Sequence, residues 1–370
     1  MSEWLKLKLR DIIVLNYGKA LKTQDRKDGN IPVFSSAGLT GYHNQALIEK
    51  EGIIVGRKGT IGKIYISNSP FWCIDTAYYI LPNPEKYDFL FIFYLLQTLG
   101  LEELNEDSAV PGLNRNTVYN QCVTLPPSPE QKAIASILSS IDDKIDLLHR
   151  QNKTLESMAE TLFRQWFIED IQNGWKNYKL GDLTNIFIGR TPPRKETFWF
   201  SKNINDIKWL SIKDMAENGV YRFNTNEYLP MYTIEKFKIP IIPKNTVVLS
   251  FKMTVGRVGI TSQDMVSNEA IAHFRINKII SNEFLYCFLK SFNFDMLGTT
   301  STIVNSINTS LIKSILIRIP NEEKVHEFTL KTSPLFLKIK KNQKQQYLLE
   351  NLRDILLPKL MSGEVRVKLD

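Results

Sequence analysis

What this chain has little of narrows its chemistry first. Its three cysteines, Cys73, Cys122 and Cys287, show no CxxC spacing, and its four histidines, His43, His149, His273 and His326, lie far from them along the sequence. No zinc site and no disulfide framework can be read from such a pattern. Long hydrophobic runs are missing too: the longest, Phe89 to Leu96, falls far short of the ~20 residues a membrane helix needs. The opening residues, Met1-Ser2-Glu3-Trp4-Leu5-Lys6, lack the basic-then-apolar order of a signal peptide. A cytoplasmic protein is expected.

Catalytic motifs are equally scarce. An adenine-flipping methyltransferase would be expected to carry an Asn/Asp-Pro-Pro-aromatic loop, but Pro126-Pro127-Ser128-Pro129 and Thr191-Pro192-Pro193-Arg194 lack both the preceding amide and the aromatic. Gly56-Arg57-Lys58-Gly59-Thr60 is not a Walker loop, and Gly62-Lys63 is followed by Ile64. Asp142-Asp143-Lys144 has the residue types of a nuclease but is expected on the solvated face of a helix. Catalysis is therefore expected to reside elsewhere, with neither metal nor cofactor held by this chain.

What is present is the composition of a folded protein. Of 370 residues, 43% are hydrophobic and 23% charged, enough for two domains with their own cores. The net charge of +8 is unevenly placed: residues 1–174 sum to −3 and residues 175–370 to +11. Basic charge alone supports a polyanionic partner only for the second half. Residues 1–128 are neutral overall, so a first domain that bound DNA would do so through placement of its charges.

The dominant feature is an internal repeat. Leu7-Lys8-Leu9-Arg10-Asp11-Ile12 returns as Tyr178-Lys179-Leu180-Gly181-Asp182-Leu183. Ile53-Ile54-Val55 with Gly59-Thr60-Ile61-Gly62-Lys63 returns as Val247-Val248-Leu249 with Met253-Thr254-Val255-Gly256-Arg257. Asp75-Thr76-Ala77 matches Asn268-Glu269-Ala270 loosely, Asp88-Phe89-Leu90-Phe91 matches Glu283-Phe284-Leu285-Tyr286, and Val123-Thr124-Leu125-Pro126 matches Ile317-Arg318-Ile319-Pro320. The offset is 171 at the first block and 193 to 195 afterwards, so the second copy carries about twenty extra residues between Leu183 and Val247. Residues 13–52 and 184–246 resemble each other least. Each copy predicts a short opening strand, a β-hairpin around Gly59-Thr60-Ile61-Gly62 or Met253-Thr254-Val255-Gly256, and a helix near 88–98 or 283–291. Both are mixed α and β.

Each copy ends in a long helical pattern. Ser128-Pro129-Glu130-Gln131 reads as an N-cap serine, a proline at the first helical position and a capping-box glutamine. Ile134, Ile141, Leu148, Leu155 and Leu162 recur every seven residues, interleaved with Leu138, Ile145, Asn152, Ala159 and Trp166. Forty such residues span about 60 Å. The second stripe has Phe328, Leu335, Asn342, Leu349 and Leu356, with Thr332, Ile339, Gln346, Arg353 and Leu360. Pro334 is expected to reset this helix with Ser333 as its cap, leaving Phe328 on a separate turn. Because the stripe ends both copies, the two helices are expected to pair antiparallel, with Asn152, Asn342 and Gln346 favouring one register and the chain's two ends near each other. The expected organisation is a first domain at 1–127, a long helix at 128–170, a second domain at 171–320, and a second long helix with a tail at 321–370.

Together these residues resemble the specificity subunit of a type I restriction-modification system over essentially the whole chain. The carriers are the two openings, Gly189-Arg190-Thr191-Pro192, the glycine turns, Leu125-Pro126-Pro127-Ser128-Pro129-Glu130-Gln131, and Leu356-Leu357-Pro358-Lys359-Leu360-Met361-Ser362-Gly363-Glu364. The resemblance implies an α+β fold with two similar target recognition domains, each reading half of a split double-stranded DNA target, joined by antiparallel coiled-coil helices acting as a spacer. It also implies two copies of a modification subunit that bind S-adenosylmethionine and methylate adenine, and optional restriction subunits that use ATP and Mg.

Base edges are read by Arg, Lys, Asn, Gln or Ser on loops, and phosphates are held by Lys, Arg and backbone amides. In the first domain these criteria select Ser35, Ser36, Tyr42, His43, Asn44, Arg57, Lys58, Lys63, Arg115 and Asn116. In the second they select Arg190, Arg194, Lys195, Lys213, Lys252, Arg257, Asn305 and Asn308. Two other classes stay open on residues alone: a coiled-coil adaptor that binds only proteins, and the recognition part of a methyltransferase or nuclease that acts by itself.

Overall fold

The computed structural model describes residues 4–104, 112–171, 174–297 and 307–368. The chain divides into two compact units, Met1–Asp143 with Glu350–Asp370, and Lys144–Leu349. The divisions fall within the two long helices, Ser128–Arg164 and Glu322–Ser362, so each unit holds part of both.

In the first unit the opening strand Leu5–Lys8 pairs antiparallel with Cys122–Leu125, tying the start of the repeat to its end. A four-stranded sheet follows in the order Asn16–Tyr17, Ala77–Ile80, Gly52–Gly56, Ile64–Ser67. Gly52–Gly56 is buried along its whole length, which explains its unbroken apolar run. A three-stranded sheet, Gly38–His43, Ile31–Ser35, Trp72–Cys73, completes the β structure. The helix Phe89–Gln97 starts where the Asp88 carboxylate accepts from the Phe91 amide at 2.9 Å. It buries Phe91, Ile92, Leu95 and Leu96 with Leu9, Ile53, Val55, Ile134 and Leu138.

The second unit repeats this plan. Lys176–Lys179 pairs with Leu316–Ile319, and a five-stranded sheet runs Thr184–Ile188, Ile271–Ile276, Val247–Ser250, Val258–Thr261, Tyr221–Arg222. The helix Asn282–Ser291 takes the place of Phe89–Gln97. The hairpin turn is reproduced bond for bond. Gly56 N–H donates to Lys63 C=O and Gly62 N–H to Gly56 C=O, while Ser250 N–H donates to Arg257 C=O and Gly256 N–H to Ser250 C=O. Gly59 and Gly62 have φ of 77° and 71°; their counterparts Met253 and Gly256 have 64° and 89°. Only Met253 meets that geometry with a side chain, in the left-handed region that costs an L-residue roughly 1 kcal/mol or more.

The divergent stretches turn out to be partly the same fold. Glu227–Leu229, Ile207–Leu210 and Val266–Ser267 form a three-stranded sheet with the antiparallel-then-parallel pairing of its counterpart in the first unit. Residues 36–37 join the hairpin in the first unit, whereas residues 211–226 do so in the second and hold much of the extra length. That longer connection is knotted by the buried Asp214 carboxylate, which accepts from the Ser211 amide and hydroxyl and from the Asn226 backbone and side chain.

The long helices differ from the expectation in three places. Ser128 is the first helical residue, not the cap: Glu130 and Gln131 amides both donate to Pro127 C=O. The Gln131 side chain makes no capping box, since it accepts from Asp88 N–H and donates to Pro126 C=O. Most consequentially, Glu322–Ser362 runs straight through Pro334. Ser333 does not cap; its hydroxyl donates to Glu283. Phe328 is fully buried within the helix, among Phe163, Phe167 and Phe284. Tertiary burial on both sides of the proline outweighs the one hydrogen bond it removes. Pro334 itself is exposed, so Pro334→Ala should restore that bond and raise the stability of the second unit by about 1–2 kcal/mol, after the lost rigidity of the unfolded chain is subtracted. A lower urea midpoint would contradict this.

Within each unit the helix segments run antiparallel. In the second, Asn152 Nδ2 donates to Gln346 Oε1 at 2.9 Å and Asn342 Nδ2 to Gln151 Oε1 at 3.3 Å, while Phe163 meets Phe328. In the first, Arg353 pairs with Asp142 at 3.0 Å, and Arg366 with Glu130. Asp142 is thus no free surface charge: it is half-buried and also accepts from Tyr94 Oη at 2.7 Å. The chain's two ends meet here, where Trp4 Nε1 donates to the same Glu130 and Leu360 and Met361 enter the core. Of the proposed seam, Ile134, Leu138, Ile141, Leu148, Asn152, Ile339 and Asn342 are buried, and Ile145, Leu155, Leu162, Leu335, Gln346, Leu349 and Leu356 are half-buried. Phe163, Phe167 and Phe336, which lie one position off that seam, are buried instead.

Candidate nucleic-acid interface

The first unit gathers two groups that are far apart in sequence. Leu113 N–H donates to Arg57 C=O at 2.8 Å, Lys58 and Gly112 form an antiparallel bridge, and Tyr78 Oη donates to Leu113 C=O at 3.1 Å. These bonds lay residues 112–116 beside the hairpin turn. Asn114 then starts the short helix Arg115–Tyr119 by accepting from Asn116 N–H. The result is a cavity of about 300 Å³ lined by Tyr17, Arg57, Lys58, Tyr78 and residues 112–116. The Arg57 and Arg115 guanidinium carbons lie 4.9 and 5.2 Å from the centre of the Tyr17 ring, within cation–π range. Arg57 is further fixed by donating to Asp75 C=O. Among the described residues no carboxylate lines it.

The other first-unit residues separate by role. Ser35, Ser36 and His43 are buried. The Ser35 hydroxyl accepts from Ala37 N–H, and His43 Nδ1 accepts from Lys27 N–H with its ring edge-on to Trp72. Their side chains shape the loop from within. Tyr42, Asn44 and Asn116 are exposed. Lys63 lies 2.8 Å from Glu102, whose hydrogen bond and charge raise the lysine pKa.

In the second unit Arg190, Lys195, Lys213 and Lys252 are exposed. Arg257 donates to Ile212 C=O at 3.1 Å, which brings Lys213 alongside the Lys252 turn. Arg190 is anchored through Phe237 C=O. Arg194 is committed to Glu227 by two hydrogen bonds, and its guanidinium lies 4.2 and 4.4 Å from the ring centres of Phe200 and Trp209. Asn308 caps the helix Thr309–Ser314 by accepting from Leu311 N–H, the part Asn114 plays in the first unit. Asn305 lies outside the described residues.

Tyr17 and Lys19 were not anticipated. Gly18 N–H donates to Ala77 C=O and Lys19 N–H to Cys73 C=O, and Gly189 and Arg190 repeat this with Ile271 and Ser267. Both glycines are required, because a Cβ would sit 2.1 Å from a carbonyl oxygen. Placing Asn16-Tyr17-Gly18-Lys19 under Phe187-Ile188-Gly189-Arg190 at the initial offset of 171 would have found them.

Among the described residues no group of three or more His, Cys, Asp or Glu is placed to hold a metal ion, and no helix is long and apolar enough to cross a membrane. The cysteines are free, with Cys73 and Cys287 buried and Cys122 exposed.

Comparison with known proteins accords with this repeated architecture. The sequence model of the type I restriction modification DNA specificity domain matches residues 1–157 and again 172–349, once per copy. The chain is 25% identical to the type I restriction enzyme MjaIX specificity subunit of Methanocaldococcus jannaschii, covering 99% of this chain and 94% of that protein. It is 23% identical to the HindI specificity subunit of Haemophilus influenzae, covering 81% of each. The crystal structure of a type I restriction-modification S subunit from M. genitalium superposes with a TM-score of 0.66 at 17% identity, over 99% of this chain and 97% of that one. With the family match falling on both copies of the frame, the chain belongs to the type I restriction-modification specificity subunit family.

Proposed function

We propose that this protein is the non-catalytic, DNA-reading subunit of a type I restriction-modification complex. Its two domains read the two halves of a split, asymmetric double-stranded target. Its helices space those halves and carry two copies of a modification subunit, with restriction subunits where the system has them. S-adenosylmethionine, and the ATP and Mg of restriction, are bound by those partners. The observation that carries the reading is the repeat itself: a frame whose hairpin turn is kept bond for bond in both units, carrying inserts that share a sheet but differ in connection and side chains. A common frame holds and positions, whereas unlike inserts suit unlike half-sites.

The test is genome-wide mapping of N6-methyladenine in cells with and without this chain, and with residues 13–52 exchanged for those of a relative. The expected result is a split motif that appears only with the chain, and of which the exchange alters one half. Methylation independent of the chain would favour the protein-adaptor reading. Methylation by the purified chain alone would favour the stand-alone enzyme. A change in both halves would overturn the one-domain, one-half assignment.

A further inference from the structure

The first domain is the one whose charge gives it no general attraction for DNA, and it is also the one with a built cationic notch. Strand register places the notch's counterparts in the second domain. Tyr17 faces Tyr78 across the sheet as Ile188 faces Ala272, and Val55 faces Tyr78 as Leu249 faces Ala272. The same offset sets Phe251 against Arg57, Lys252 against Lys58, and Thr309 and Ser310 against Arg115 and Asn116. Phe251 and Ala272 are buried in the core of the second unit, and Ile188 packs against it. Thus Arg57 and Arg115 of the neutral domain are replaced in the basic one by the buried Phe251 and by Thr309, and of the three cations only Lys58 keeps a cationic counterpart, Lys252.

We infer that the notch of Tyr17, Arg57, Lys58 and Arg115 seats a backbone phosphodiester of the first half-site, a contact that does not depend on sequence. This rests on the DNA-reading function proposed above and assigns one part of that surface a single chemistry. The stems and rings support it. The Tyr17 ring lies under both guanidiniums, orienting forks that suit phosphate oxygens. Lys58 is exposed beside them as a mobile point charge, and Arg57 is already fixed by the Asp75 carbonyl. Among the described residues no carboxylate lines this cluster of like charges, which an anion relieves. Donor-only Arg and Lys also meet the O6 and N7 acceptors of guanine, and the motif readout below separates that contact from one to a phosphate.

The experiment uses the full chain assembled with its modification subunit. Binding is measured by fluorescence anisotropy on target and unrelated duplexes across a salt series, with Arg115→Gln and Lys58→Gln as variants and Arg115→Lys as the rescue. Each Gln variant should weaken binding to both duplexes by a similar factor, roughly ten-fold, and reduce the magnitude of the log–log salt slope by about 0.9. The methylated motif should be unchanged, and Arg115→Lys should restore the slope. Lys58 is exposed, so that variant folds even if Arg115→Gln does not. An altered motif with an unaltered slope would make the notch a base reader, and unchanged affinity and slope would leave it without a DNA role; either result overturns the inference. If the wild-type complex bound both duplexes alike and methylated no split motif, the broader function would fail instead.

Discussion

Phe328→Ala is expected to lower the stability of the second unit by about 3–5 kcal/mol, the range for emptying a large aromatic site in a packed core. The ring is fully buried, with Phe163, Phe167 and Phe284 at centroid distances of 5.8, 5.4 and 6.1 Å and interplanar angles of 75°, 85° and 90°. Edge-to-face pairs of this kind add to the area buried, and the rings come from both long helices and from Asn282–Ser291. Little can collapse into the space. Urea unfolding followed by tryptophan fluorescence should show the loss, aided by Trp166 at 6.4 Å from the same ring. A change below about 1 kcal/mol would mean that Phe328 lies outside the core.

Acid should destabilise the second unit through His273. This residue is fully buried in the strand Ile271–Ile276, neither ring nitrogen has a hydrogen-bond partner among the described residues, and the ring stacks on Phe187 at 5.7 Å. Burial, and secondarily the Arg275 charge, push its pKa down from 6.5 to about 4. The folded state holds the neutral ring, so between those values the unfolded chain binds more protons and stability falls as pH falls. The contribution present above pH 6.5 and lost by pH 4 is about 3 kcal/mol. His273→Leu removes the titration and two unsatisfied nitrogens, so it should be neutral or stabilising at pH 7 and flatten the pH dependence by that amount. Parallel stability curves for the wild type and the variant from pH 7 to 4 would refute the assignment.

The notch shows why part of the site escaped a linear reading. Arg57 with Lys58 and Arg115 with Asn116 are recognisable as separate basic and polar clusters, because side-chain chemistry is local. That they share a cavity depends on the Leu113–Arg57 and Tyr78–Leu113 hydrogen bonds, and Tyr17 joins only through sheet pairing. Likewise Ser35, His43, Arg194 and Asn308 look like loop contacts in sequence. Only the fold shows a buried hydroxyl, a satisfied imidazole, a guanidinium committed to Glu227, and a helix cap.

The helices divide in the same way. A strict seven-residue count marks Leu155, Leu162 and Trp166, yet beyond Asn152 and Ala159 the buried face moves to Phe163 and Phe167. A straight helix repeats every 3.6 residues, so its face drifts about 20° per heptad from a 3.5-residue pattern unless a partner supercoils it. Here the core of the second unit claims that end of the helix, so Phe163 rather than Leu162 turns inward.

The sequence by itself determined the repeat, the strand–turn–strand frame, the helices that follow and the family, because hydrophobic period and turn chemistry are properties of neighbouring residues. Tertiary structure alone decided that the dissimilar inserts share a sheet, that Pro334 lies inside an unbroken helix, and that the neutral domain concentrates three cations around Tyr17. Each of those outcomes rests on contacts between residues far apart in the chain, whose burial outweighs local preference and leaves no periodic trace.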